Sequence, residues 1–150
     1  DGFLHRAIRE QGGAYGGGAS YDADSGSFRF YSYRDPRLAG TLADFERSLE
    51  WVQEAQPARR IEEAVLSAIK DIDQPSSPAG ECLRAFFDAR SGRTPEFRRE
   101  FRKRVLAATA GELQRVAATY LRPEQASTVV IGGRETLAGA GDLGLEPCTL

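Results

Sequence analysis

Leu4-His5-Arg6-Ala7-Ile8-Arg9-Glu10-Gln11-Gly12-Gly13-Ala14-Tyr15-Gly16-Gly17-Gly18 runs from an amphipathic turn directly into glycine. Phe3, Leu4, Ala7 and Ile8 fall at i, i+1, i+4 and i+5, one face of a short helix. Gly12-Gly13 stops that helix, because glycine readily takes the left-handed geometry of a helix C-terminus. Five glycines within seven residues, Gly12 to Gly18, then weaken any strand through lost backbone entropy, so something should offset them. A phosphate-cradling loop does not fit: such loops run strand, glycines, helix, with Lys-Ser/Thr in the triphosphate version. Here the order is helix, glycines, strand, and no such lysine follows. Two readings stay open. The strand's bare backbone is approached closely by an extended peptide, or it is a bulged or tightly packed strand without a ligand.

Working outward, Ala14 to Tyr21 and Ser27 to Tyr33 read as two strands. Asp22-Ala23-Asp24-Ser25-Gly26 between them has hairpin-turn composition. Phe28, Phe30 and Ser32 alternate with Arg29, Tyr31 and Tyr33, so the second strand has two distinct faces. Asp35-Pro36 opens the next helix, with Asp as cap and Pro at the first helical position. Its apolar stripe is Leu38, Leu42, Phe45, Leu49 and Val52, and Pro57 ends it. Ile61, Val65, Ile69 and Ile72 stripe a second helix, closed by Asp73-Gln74-Pro75. Ser77-Pro78 and Thr94-Pro95 open two more, striped by Cys82, Leu83, Phe86, Phe87 and by Phe97, Phe101, Val105. Thr109-Ala110-Gly111-Glu112 is a capping box that starts a further helix with Leu113, Val116 and Tyr120, stopped by Pro123. Ser127 to Ile131 is a short β-branched strand, followed by a loose tail. The fold class expected is α+β, an antiparallel sheet covered by helices on one face. Three strands make a thin sheet for so many helices, and strands from upstream chain would help.

Composition narrows the function classes. A chain of 150 residues suits one core. The net charge of −2 predicts no nucleic-acid partner. No run approaches the ~18 apolar residues of a membrane span, and the first residues lack a secretory pattern. Cys82 lies on an apolar helical stripe, where a buried free thiol is common, so Cys82 and Cys148 are not expected to pair, which favours a reducing compartment.

Several polar groups invite a site and are better explained otherwise. Asp22, Asp24 and Gly26 resemble a calcium loop, but the glycine comes one place early and Tyr33 stands where the loop needs Glu. His5 is the only histidine, and a zinc site of the His-Glu-x-x-His type, or its inverse, needs two. Arg90, Arg93, Arg98, Arg99, Arg102, Lys103 and Arg104 form a basic cluster with Glu96 and Glu100 interleaved, a solvated face in which Glu100 pairs with Arg104 at i+4.

Leu4 to Gly17, followed by Phe30-Tyr31-Ser32-Tyr33-Arg34-Asp35-Pro36, resembles the last domain of the presequence-protease branch of the pitrilysin/insulinase family. The shared pattern is I-R-x-x-G-G-A-Y-G, then a hairpin ending in S-Y-R-D-P before a long helix. The resemblance covers most of the chain, least clearly the final dozen residues. It implies a partial domain of the pitrilysin/LuxS-like metallohydrolase fold over residues 1–143, with 144–150 as a C-terminal tail. It implies zinc in the full-length protein, bound by another domain through His-x-x-Glu-His and a downstream Glu, a motif this chain lacks. It implies that Arg9 and Tyr15 reach a peptide substrate across a chamber, with Gly13 and Gly16 beside them. The partners so implied are the peptide and the N-terminal catalytic domains of the same protein.

The function expected is therefore that of a substrate-binding C-terminal segment of a zinc-dependent metalloendopeptidase degrading unstructured oligopeptides, itself inactive. A non-catalytic structural or processing relative of the same fold is one alternative. An unrelated α+β peptide-binding module is another. The abundance of Ala, Arg and Gly suits a bacterial, hence cytoplasmic, source; a eukaryotic source would place it in an organelle matrix.

Overall fold

His5–Gln11 forms a π-helical turn in the computed structural model, which describes residues 2–146 and Cys148. Ala7 and Ile8 are its buried residues. Gly13, at φ 77, turns the chain out of the helix as glycine permits. Strand β1 (Gly16–Asp22) pairs antiparallel with β2 (Ser27–Tyr33), with Gly16 opposite Tyr33 and Asp22 opposite Ser27. The first strand thus starts two residues later and ends one later than expected. The turn is built as its composition predicts: Asp22 Oδ1 accepts the Asp24 N–H at 3.0 Å, and Gly26 takes φ 68.

The two faces of this hairpin differ. On one, Phe30 stacks on Phe45 at 5.2 Å, and a Cβ added at Gly17 would stand 2.7 Å from Ile8 Cγ2. Helix α1 (Leu38–Gln53) and the π-helical turn therefore cover that face, as expected for helices on one side of the sheet. On the other face, Tyr33 lies over Gly16, and Tyr31 Oη stands 3.5 Å from where a Cβ of Gly18 would be. Aromatic side chains shield the glycines directly opposite them, returning packing that the glycines themselves cannot supply.

Helices α2 (Ala58–Asp73), α3 (Pro78–Arg90), α4 (Pro95–Leu106) and α5 (Ala110–Tyr120) follow, then a 3₁₀ turn at Pro123–Gln125 and the short α6 (Arg134–Gly139). The capping residues are those the sequence predicts. Ser77 Oγ accepts the Gly80 N–H, and Thr94 Oγ1 accepts the Phe97 N–H, both at 3.2 Å. Thr109 and Glu112 close a reciprocal box, at 3.3 Å from the Glu112 N–H and 3.0 Å from the Thr109 N–H. Among the described residues no helix is long and apolar enough to cross a membrane. The chain forms two compact units: one runs to Glu54 and resumes at Val116, the other is Ala55–Arg115.

Five expectations are corrected. Ser127–Ile131 forms no strand: Val129 and Ile131 are each 82% exposed, and β-branched chemistry makes no ladder without a neighbouring edge. Cys82 is exposed rather than buried, because α3 leaves its stripe uncovered; neither Cys82 nor Cys148 is in a disulfide. Helix α1 begins at Leu38, so Pro36 lies outside it, and Asp35 instead accepts from the Arg37 N–H at 2.9 Å and Thr41 Oγ1 at 2.6 Å. The most buried side of α1 is Thr41, Asp44 and Ser48, not the leucine stripe. The segment assigned to a loose tail holds α6; of 144–150, residues 147, 149 and 150 lie outside the described residues.

Candidate functional site

Arg9 sits in the last turn of the π-helical segment, where a cation is favoured by the carbonyl end of the helix. The turn that follows is held by two main-chain bonds. Gly13 N–H donates to the Arg9 carbonyl at 3.0 Å, and Ala14 N–H to the Ile8 carbonyl at 3.1 Å. Tyr15 N–H then donates to the Arg34 carbonyl at 3.3 Å, which ties the start of β1 to the end of β2. As a result Arg9 and Tyr15, together with His5, Glu10 and Ala14, line one open depression of about 380 Å³.

Arg9, Glu10 and Tyr15 are exposed there, His5 is half-buried and Ala14 is buried. Tyr15 is 63% exposed, with the Tyr33 ring 5.6 Å away at 58° and the Arg34 guanidinium 5.1 Å from its ring centre. Arg9 Nη1 lies 3.4 Å from His5 Nε2, and His5 Nδ1 lies 3.5 Å from Glu10 Oε1. A phenol and a guanidinium side by side offer hydrogen-bond donors to carbonyl oxygens or anions. Gly13 and Gly16 flank these residues in the chain. Gly13 terminates the helix, and Gly16 is covered by the ring of the chain's own Tyr33.

The residues that hold this geometry were not anticipated. Arg37 donates from Nε to the Gly12 carbonyl at 3.2 Å and from Nη2 to the Ala7 carbonyl at 3.0 Å. The same Nη2 meets Asp44 Oδ2 at 2.9 Å, and Arg47 pairs with the other Asp44 oxygen. The Asp44 side chain is 1% exposed, so a buried carboxylate anchors the arginine that grips the end of the π-helical turn. A Cβ at Gly12 would run into Arg37 Nη2 and into the Ile8 and Ala7 carbonyl oxygens, so glycine is required by the helix end as well as by the clamp. One signal was available: Thr41, Asp44 and Ser48 recur at i, i+3 and i+7, a polar stripe beside the leucine stripe.

The donor set does not fit a zinc ion. Among the described residues no group of three or more His, Cys, Asp or Glu side chains is placed to hold a metal. The basic cluster pairs partly within α4 and partly with its neighbours: Arg102 grips Asp73 of α2 with contacts of 2.7 and 2.9 Å, Arg98 meets Asp88 of α3 at 3.6 Å, and Arg99 meets Glu96 of α4 at 2.5 Å. Glu100 pairs with Lys103 at 3.9 Å in place of Arg104.

Residues 1–131 match the family described as the PreP C-terminal domain. The chain is 39% identical over 131 residues to the mitochondrial presequence protease of Saccharomyces cerevisiae, covering 86% of this chain and 13% of that protein. It is 41% identical over 137 residues to that of Yarrowia lipolytica, covering 89% and 14%. To that of Xenopus tropicalis it is 36% identical over 133 residues, covering 87% and 13%. The chain thus spans about one seventh or less of the length of these relatives. A match over most of its length, at these identities, places the chain in the PreP C-terminal domain family.

Proposed function

We propose that the chain is the substrate-binding C-terminal segment, residues 1–143 with 144–150 as a tail, of a zinc-dependent metalloendopeptidase that degrades unstructured oligopeptides in a closing chamber. The observation that carries the reading is that Arg9 and Tyr15, separated by a glycine turn, line the same open depression. The Tyr15 hydroxyl donates to the scissile carbonyl oxygen as negative charge develops on it. The Arg9 fork holds a neighbouring peptide carbonyl and sets register, while Gly13 and Gly16 flank Tyr15 at the peptide, Gly13 by turning the backbone and Gly16 by accepting the Tyr33 ring. Zinc would be held by an N-terminal domain of the same protein, where it would supply an activated water. The relatives' names as mitochondrial presequence proteases support a peptidase parent and an organelle matrix. The Ala-, Arg- and Gly-rich composition leaves a bacterial cytoplasm as the other location, and fractionation of the source cells decides between them.

Tyr15→Phe in the full-length protein tests the role. Peptide turnover should fall by about 10²–10³, the usual cost of one oxyanion donor, with folding unchanged. The isolated chain, given zinc and a quenched fluorescent peptide, should show no chelator-sensitive turnover.

A second reading, a non-catalytic structural or processing relative of the same fold, is favoured by one observation. Gly16 and Gly17 meet the chain's own Tyr33 and Ile8, so packing alone accounts for them. Absence of peptide turnover in the full-length wild-type protein would select this second reading. Family membership displaces the unrelated peptide-binding module.

A further inference from the structure

Arg34 is the only non-glycine residue with positive φ among the described residues, at φ 49. A side chain is disfavoured there because its Cβ crowds the following carbonyl, and glycine is the ordinary occupant. Strain of this kind persists only where the surroundings over-determine it. At Arg34 the surroundings are Tyr15. The Arg34 carbonyl accepts the Tyr15 N–H at 3.3 Å, and the Arg34 guanidinium carbon stands 5.1 Å from the centre of the Tyr15 ring. The preceding residue, Tyr33, adds its ring at 5.6 Å. One corner of the hairpin therefore holds both the backbone and the ring of Tyr15. Arg34 is not among the residues lining the depression, so it reaches the depression through Tyr15.

We infer that Arg34 is a positioning residue for Tyr15, its left-handed backbone and ring-stacked guanidinium holding the otherwise exposed phenol in place at the depression. The inference rests on the reading of Tyr15 as an oxyanion donor. A phenol that is 63% exposed would sample several rotamers without such support, and a donor works only when fixed close to its productive geometry. A planar cation over an aromatic face supplies that restraint, and arginine does so better than lysine.

The test uses the full-length protein. Arg34→Gly suits the left-handed backbone, so the corner persists while the cation is lost. It should lower kcat about two- to five-fold with KM little changed, the ratio that an exposed cation–π contact represents, and Arg34→Lys should fall between. In a Tyr15→Phe background, Arg34→Gly should have no further effect, because nothing remains to position. An equal loss in both backgrounds would overturn the inference. Fluorotyrosine labelling, with the Tyr15 signal assigned by its absence in Tyr15→Phe, gives a second measurement. That resonance should shift in Arg34→Gly, and an unmoved resonance overturns the inference whatever the kinetics. If Tyr15→Phe turns over peptide normally, the oxyanion reading of Tyr15 fails, while the resonance still decides whether Arg34 positions the ring.

Discussion

The unit containing the hairpin and the unit Ala55–Arg115 spend similar helical sequence in opposite ways. In the first, Ile8 and Asp44 are fully buried, with Ala7, Ala14, Thr41 and Ser48 close behind. In the second, no described residue is buried, and Leu66, Leu83, Phe86, Phe87, Phe97 and Phe101 are all exposed. Its helices carry good caps and good apolar stripes, yet caps and periodicity shape a helix without giving it anything to lie against. Electrostatics shows the same contrast. The Asp44 carboxylate is held out of water by Arg37 and Arg47, while Asp73 and Arg102 pair in the open, where solvent screens them. The candidate site sits in the unit with the buried anchor, which suits residues that must be held still.

The largest effect expected is from Asp44→Ala, which leaves Arg37 without its buried carboxylate. Arg37 stays 37% exposed and keeps its two carbonyl acceptors, so the loss is that of charge-assisted hydrogen bonds, about 1.5–3 kcal/mol. Hydrogen exchange should show faster opening of His5–Gln11 and α1, with α2 to α4 unaltered; equal loosening of both units would end the contrast. Next is Gly17→Ala, whose methyl must displace Ile8 Cγ2. Overpacking of this kind costs about 1–3 kcal/mol, and a midpoint unchanged in denaturant would show that the face is loosely packed. In the other unit, Thr94→Ala removes the acceptor for the Phe97 N–H and should cost about 1 kcal/mol. Fraying should stay confined to the first turn of α4.

The smallest effect is a pH dependence at Asp35. Burial alone would raise its pKa, but hydrogen bonds from Thr41, the Arg37 N–H and Ser32, with the Arg37 charge, together hold it below 3.8. A carboxyl whose folded pKa is depressed contributes stability above its unfolded pKa and loses it as pH falls through the folded one. The melting difference between wild type and Asp35→Asn should therefore be constant above about pH 5 and shrink as pH drops below about 4. A difference that persists at lower pH would mean that Asp35 acts by shape rather than charge.

Local chemistry was legible to the residue. Ser77, Thr94 and the Thr109–Glu112 box cap as read, and Ser27–Tyr33 is the strand predicted. Each of these depends on groups within a few positions along the chain. The Arg9-to-Tyr15 segment was also legible as a candidate site, since glycines out of place for a strand are a local anomaly. Its supports were not. Arg37 reaches Ala7 and Gly12 from 30 and 25 residues away, and no spacing rule announces that contact.

By itself, then, the sequence determined where the capped helices begin, at Ser77, Thr94 and Thr109, and which residues offer donors near the glycine turn, because caps, turns and alternation are short-range effects. Only the tertiary structure decided which faces are covered. It left Val129 and Ile131 without a sheet, left Cys82 in solvent, and buried Asp44 in place of a leucine. The reason is physical: burial depends on what else is nearby in space, and a stripe on one element does not specify its partner on another.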